Sequence, residues 1–134
     1  MIPTNRRKFI ATTAILSTSI AASAMPIPSP GKKQLVHHVF FWLKNPDSIA
    51  DRDKLVEGVK TLRKIKSIRK LHVGVLASTE KREVVDTSWQ VSELMFFDDL
   101  QGQSMYQTHP IHLAFIKNYS HLWAKVLVYD AMEA

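Results

Sequence analysis

The segment LVHHVFFWLK at positions 35–44 restricts the fold most strongly, because it is a strand with two largely apolar sides. β-Branched and aromatic residues dominate it, and Asn45-Pro46-Asp47 ends it as a turn would. Side chains alternate along a strand. One face therefore carries Leu35, His37, Val39, Phe41 and Leu43, and the other carries Val36, His38, Phe40 and Trp42. Such a strand needs packing on both sides of its sheet.

Hydrophobic periodicity divides the rest of the chain into helices and three further strands. The prediction is a helix over 48–65, strands over 71–77, 89–97 and 124–130, and two helical pieces over 98–108 and 110–121. Asp47 or Asp51 is expected to cap the first helix, and His109 the last. The order β-α-β-β-α-β predicts an α+β, ferredoxin-like fold.

This topology predicts a second copy of the chain as a partner. Both helices of a ferredoxin-like fold lie on one face of the sheet, so the other apolar face would be exposed in a monomer. Soluble proteins avoid large exposed apolar patches. The simplest cover is the sheet of a second copy across a two-fold axis, so we expect a homodimer.

The first 24 residues have the pattern of an export signal. Arg6-Arg7-Lys8 is a positive n-region, residues 9–22 are mildly apolar, and Ala22-Ser23-Ala24 is a small-residue cleavage site. Residues 5–10 resemble a twin-arginine signal, and a general-secretion signal is the alternative. The apolar run is short and diluted compared with the ~20 residues of a membrane span. We therefore expect an exported protein, periplasmic or extracellular, with no stable membrane anchoring.

Composition removes several classes of function. The chain has 134 residues and no cysteine, which excludes disulfide scaffolds, thiolate metal sites and cysteine nucleophiles. Residues 25–34 hold three of the six prolines and are interpreted as a spacer before one domain over 35–134. Without the signal, 15 basic residues face 12 acidic ones, a net charge of +3. The basic run over 60–70 is interpreted as a solvated surface, so we expect no nucleic-acid partner.

Three segments of the mature chain carry a recognisable pattern. They are HVFFWLK at 38–44, YQTHPIHLAF at 106–115 and WAKVLVYD at 123–130. Together they resemble the stress-responsive A/B barrel domain family, called Dabb, and the resemblance covers about residues 35–130. It implies a dimeric α/β barrel made of two ferredoxin-like halves. Related barrels bind haem, but no motif here calls for it, and we expect no cofactor.

The resemblance also supplies the catalytic candidates, Tyr106 and His112. One family member, the plant olivetolic acid cyclase, closes a linear polyketide by aldol condensation without a cofactor, and it uses a Tyr/His pair on this segment. A histidine can accept a proton from an acidic carbon near neutral pH. A tyrosine hydroxyl can donate to a developing enolate oxygen. The alternative is that both residues serve capping and packing.

Other polar and aromatic residues have weaker assignments. The expected pocket-lining residues are His38, Phe40, Trp42 and Trp89. For His38 the alternative is a hydrogen-bonded core histidine. The bulk of these side chains argues against transferring the polyketide substrate. Because the recognised helical zinc pattern is absent around His109 and His112, no metal site is expected. The acids Glu93, Asp98 and Asp99 are interpreted as capping or surface residues.

Two functional hypotheses follow, with a purely structural dimer module as a third. The first is an exported, dimeric barrel of the Dabb type that binds a small molecule in an undefined physiological role. The alternative is a cofactor-independent acid/base enzyme of the cyclase, lyase or isomerase type, which would use the Tyr/His pair on a carbonyl-containing substrate. The sequence leaves open whether the protein is an enzyme, because fold alone does not fix function.

Overall fold

The computed structural model describes residues 33–134, so the signal over 1–24 and most of the spacer lie outside the described residues and stay predictions. The strands are β1 (Leu35–Leu43), β2 (Lys70–Val75), β3 (Val91–Phe97) and β4 (Trp123–Met132). The helices are α1 (Ile49–Lys60), α2 (Leu100–Gln107) and α3 (Pro110–Tyr119), with 3₁₀ turns at Thr61–Lys64 and Ser120–Leu122. The β-α-β-β-α-β order, with its interrupted second helical region, is confirmed.

The four strands form one antiparallel sheet in the order β2-β3-β1-β4. β1 is therefore central, and its register decides which polar residues become neighbours. His37 lies opposite Asp130 of β4, and Val39 lies opposite Glu93 of β3. Directly paired residues point to the same face of a sheet. His37, Glu93 and Asp130 therefore share one face.

The helices cover that same face and form the hydrophobic core with it. The buried apolar residues of the strands are Leu35, Val39, Phe41, Leu43, Val91, Met95 and Phe97. Facing them are Leu55, Val59, Leu62 and Ile65, at the helical spacing that the sequence predicted. The opposite face of β1, which carries Val36, His38, Phe40 and Trp42, is only partly buried. The ferredoxin-like α+β class and the two-sided apolar sheet are both confirmed.

One predicted helix cap is wrong and one is correct. Neither Asp47 nor Asp51 caps α1, because Ser48 holds that position and its hydroxyl accepts from the Asp51 backbone N–H at 3.1 Å. Asp51 lies in the first turn, where a carboxylate interacts favourably with the helix dipole. His109 caps α3 as expected, because its Nδ1 accepts from the Ile111 N–H at 3.1 Å.

The second helical region packs closely against α1. A side-chain carbon added at Gly58 of α1 would lie 2.7 Å from the ring of Tyr119, so only glycine allows this approach. The contact fixes α3 over the sheet, which positions the side chains described below. Within residues 33–134, the helices are all too short or too polar to cross a membrane.

Candidate active site

A cavity of about 610 Å³ lies between the helix-covered face of the sheet and helices α2 and α3. Its titratable lining residues are His37, Glu93, Tyr106, His112 and Asp130. Aromatic and aliphatic side chains form most of the remaining wall, including Phe41, Phe115, Trp123 and Val128. Among the described residues that line it, none is lysine or arginine. The cavity thus combines an apolar wall with a cluster of acids and histidines.

The helix break at His109-Pro110 brings the two catalytic candidates together. Tyr106 lies in the last turn of α2, and His112 lies in the first turn of α3. Their ring centroids are 4.3 Å apart. The chain turns between the two helices, so residues six positions apart can share one cavity. Their catalytic roles stay predictions, but the convergence that those roles require is present.

His112 is arranged as a neutral base. Its Nδ1 lies 2.9 Å from the Gln107 carbonyl oxygen. Because a carbonyl oxygen only accepts, we assign the hydrogen to Nδ1 and leave the lone pair on Nε2. Burial lowers the pKa of His112, and the Gln107 hydrogen bond opposes this effect in part. At neutral pH the imidazole is therefore uncharged and can accept a proton at Nε2.

Tyr106 is held as a neutral phenol by its own burial and by a buried acid beside it. Its hydroxyl donates to Glu93 Oε2 at 3.2 Å, and the two residues are only 2% and 1% exposed. Burial raises the pKa of the Glu93 carboxyl to about 7, although the Tyr106 hydrogen bond works in the opposite direction. Burial, followed by the charge and hydrogen bond of Glu93, raises the pKa of Tyr106. Tyr106 can therefore act as a hydrogen-bond donor but not as a base.

His37 joins this cluster to the edge of the sheet. Its Nδ1 lies 2.5 Å from Asp130 Oδ1, while its Nε2 lies 4.0 Å from Glu93 Oε2. A carboxylate accepts, so we assign the Nδ1 hydrogen to the Asp130 contact. The His37 ring also packs edge-on against Tyr106, with centroids 5.5 Å apart. The site therefore draws side chains from β1, β3, β4, α2 and α3.

The four residues predicted to line the pocket lie elsewhere, and none contributes to this cavity. His38, Phe40 and Trp42 point to the opposite face of the sheet because they alternate with the buried residues of β1. There the rings of His38 and Phe40 are 4.3 Å apart, and those of Phe40 and Trp89 are 5.1 Å apart. The histidine of β1 that lines the cavity is His37.

Sequence reasoning also missed the two acids of the site. Glu93 is not a surface residue, because it is buried beside Tyr106, and Asp130, for which the sequence predicts no role, contacts His37. The available signal was strand phase, since Glu93 alternates in step with the buried Val91 and Met95. No group of three or more histidine or acidic side chains in the described part of the chain is arranged to hold a metal ion.

Comparison with known proteins agrees with this architecture. The family model for the stress-responsive A/B barrel domain, Dabb, matches residues 35–133. This chain belongs to the Dabb family. No curated protein matches it significantly.

Solved structures share the fold of this Dabb domain at low identity. A Dabb family protein from Mesorhizobium loti has a TM-score of 0.62 and 21% identity, covering 76% of this chain and 98% of that one. A dimeric ferredoxin-like protein of unknown function from Bacteroides fragilis has a TM-score of 0.59 and 23% identity, covering 75% and 96%. The hydroxynitrile lyase of Passiflora edulis has a TM-score of 0.63 and 16% identity, covering 76% and 94%.

Proposed function

We propose that this Dabb domain binds an uncharged carbonyl compound and moves a proton at the carbon beside the carbonyl group, without a cofactor. One observation carries the proposal. A neutral imidazole, His112, and a neutral phenol, Tyr106, lie with ring centroids 4.3 Å apart in one cavity. Enolisation needs this combination, a base for the carbon-bound proton and a donor for the oxygen that gains charge.

The proposed step is balanced by these two side chains. His112 Nε2 accepts the proton from the carbon next to the carbonyl group. The electron pair of that C–H bond moves into the enolate, and Tyr106 donates a hydrogen bond to its oxygen. The proton on His112 exchanges with solvent, and His112 then delivers a solvent-derived proton to the same carbon, or the original proton to a conjugated carbon. The net result is exchange or isomerisation, so no oxidant, reductant or second substrate is consumed.

The charges of the cavity favour an uncharged ligand. Glu93 and Asp130 lie in its wall, and the described lining offers no lysine or arginine to neutralise an added anion. A carboxylate or phosphate would lose its hydration without gaining a fixed cation. The apolar wall formed by Phe115, Trp123 and their neighbours suits a hydrocarbon or aromatic body. A ketone of moderate size meets both conditions.

Binding without turnover is the second candidate function. It is favoured by the hydrogen bond that the Tyr106 hydroxyl already makes to Glu93, because that hydrogen is then not available to a ligand. The fold match to a hydroxynitrile lyase does not decide between the two candidates, because at 16% identity it concerns the fold alone.

The assay for this function is hydrogen–deuterium exchange of phenylacetone in D₂O, followed by proton NMR. The wild-type protein is expected to accelerate exchange beside the carbonyl group. His112→Ala should lower that rate by at least about 100-fold, the usual size of a general-base contribution. His121→Ala, which changes an exposed histidine, is the matched control and should leave the rate unchanged. Equal rates in wild type and His112→Ala would refute catalysis, whereas binding without exchange would favour the second candidate.

We further propose that the exported protein is a homodimer joined through the open face of its sheet. An aromatic cluster of His38, Phe40 and Trp89 lies on that face, and structural neighbours of this fold are dimeric. Phe40→Asp should convert the dimer to monomer in sedimentation experiments, because burying a carboxylate in the interface without an opposite charge beside it is strongly unfavourable. Leu113→Asp, at a residue 55% exposed on α3, is the control and should stay dimeric. A dimeric Phe40→Asp protein would contradict this interface.

A further inference from the structure

We propose that Glu93 is a positioning residue that sets the direction of the Tyr106 hydroxyl. When Glu93 is a carboxylate, it holds the hydroxyl hydrogen; when it is a neutral acid, it releases that hydrogen to the carbonyl oxygen of the ligand. The inference rests on the proposed function, since it concerns the hydrogen-bond donor of the same site.

A tyrosine hydroxyl carries one hydrogen, and in this structure it is donated to Glu93 Oε2 at 3.2 Å. The same hydrogen cannot serve a ligand in the cavity. If Glu93 is protonated, its own O–H can donate to Tyr106 Oη across the same distance. The hydroxyl hydrogen of Tyr106 is then free to turn towards the cavity, which Tyr106 lines.

The surroundings of Glu93 make both states accessible. The titratable groups that face it or its immediate partners are Tyr106 of α2, His37 of β1, Asp130 of β4 and His112 of α3. From β2 its paired residue is Val73, and α1 presents the buried Leu55 and Val59 to the core. His37 Nε2, at 4.0 Å, lies beyond hydrogen-bond distance. Burial raises the pKa of Glu93 to about 7, so the carboxyl changes its protonation state in the neutral range.

The consequence is a link between ligand binding and proton uptake. Above the pKa of Glu93, a carbonyl ligand can use the Tyr106 hydrogen only if Glu93 takes up one proton. Affinity for such a ligand should therefore fall as the pH rises, approaching about tenfold per pH unit. An apolar ligand of the same shape does not use this hydrogen, so its affinity should be independent of pH.

The binding test uses the full chain, calorimetry between about pH 6 and pH 9, and two matched probes. Phenylacetone carries the carbonyl group, and propylbenzene lacks it. Wild type should lose affinity for phenylacetone above about pH 7, the pKa of Glu93, and keep its affinity for propylbenzene. In Glu93→Gln, the amide N–H₂ can donate to Tyr106 Oη at every pH, so phenylacetone should bind with no pH dependence. Tyr106→Phe should make the affinity for phenylacetone independent of pH, as it already is for propylbenzene.

Two outcomes of this test would overturn the inference. One is wild-type protein that binds phenylacetone with the same affinity throughout the range. The other is a pH dependence that persists in Glu93→Gln, which would assign the effect to a group other than Glu93. Phenylacetone that binds to none of these proteins would count against the proposed function instead.

A ligand-free measurement tests the inference even in that case. Carbon-13 NMR of the full chain can follow Glu93 Cδ and Tyr106 Cζ through the same pH range. Both signals should change with one midpoint, because the hydroxyl changes from donor to acceptor towards Glu93 as that acid gains its proton. In Glu93→Gln, the Tyr106 signal should be independent of pH, and in Tyr106→Phe the Glu93 midpoint should rise. A Tyr106 signal that stays constant while Glu93 titrates would overturn the inference.

Discussion

The burial of Glu93 predicts that this protein loses stability as the pH rises from acidic to neutral. The ordinary pKa of its carboxyl is 4.5, and burial in the fold raises it to about 7. At about 1.36 kcal/mol per pKa unit, the difference corresponds to roughly 3 kcal/mol of unfolding free energy. This is a large fraction of the ~5–15 kcal/mol that stabilises a typical domain.

Stability falls with rising pH because folded Glu93 holds its proton to a higher pH than Glu93 in the unfolded chain. Below pH 4.5 the carboxyl is protonated in both states, so its burial costs no charge desolvation. Between 4.5 and about 7 the unfolded chain ionises while folded Glu93 keeps its proton, and the free energy of unfolding falls. Above that range both states are ionised, and the full penalty of burying a carboxylate is present.

Urea unfolding of wild type and Glu93→Gln across this range measures the effect. Subtracting the unfolding free energy of wild type from that of the variant removes the contributions of the other titratable groups, which both proteins share. The difference should be near zero at acidic pH, where an amide replaces a neutral acid of similar size, and about 3 kcal/mol above neutrality. Protein concentration must be held constant, because formation of the proposed dimer would also contribute to stability. A difference that does not vary with pH would refute the reasoning, since it would mean that folding does not shift the Glu93 pKa.

Three further changes have definite expected outcomes in urea or thermal unfolding. Gly58→Ala should destabilise by about 1–3 kcal/mol, because a carbon 2.7 Å from the Tyr119 ring overpacks the helix contact; a stabilised variant would show that the ~1 kcal/mol gain in helix propensity prevails. His109→Ala should cost about 1 kcal/mol through loss of the α3 cap, and an unchanged midpoint would contradict that role. Arg69→Ala should change stability by less than about 1 kcal/mol, because its ion pair with Asp98 is exposed, and a larger loss would refute this.

The fold was predictable because its signals are local. The apolar run that begins at Leu35 and the helical spacing of Leu55, Val59 and Leu62 each depend on a few neighbouring residues, and the structure confirms both elements. The boundaries were less accurate. The strand expected from residue 89 begins at Val91, because Trp89 packs on Phe40 outside the ladder.

The site was only partly predictable because its contacts are not local. Tyr106 and His112 were found through one recognisable segment of the chain. Glu93 lies 13 residues from Tyr106 along the chain, and their hydrogen bond exists only because α2 folds back over β3. Because acidic residues usually lie in water, sequence reasoning places Glu93 at the surface, although its phase along the strand indicates that it is buried.

The phase of three polar residues could have located the cavity without any resemblance. Each of these residues (His37, Glu93 and Asp130) has apolar residues two positions away on its own strand, which point to the same face. The sheet register brings the three polar residues together on that face. Burying His37 and Glu93 is costly unless they pair with other polar groups, so such an alignment indicates a site rather than a plain core. A shift of one residue in β1 would replace His37 by His38 and break the contact with Asp130. The strand register therefore decides which histidine joins the site and which one lies on the open face of the sheet.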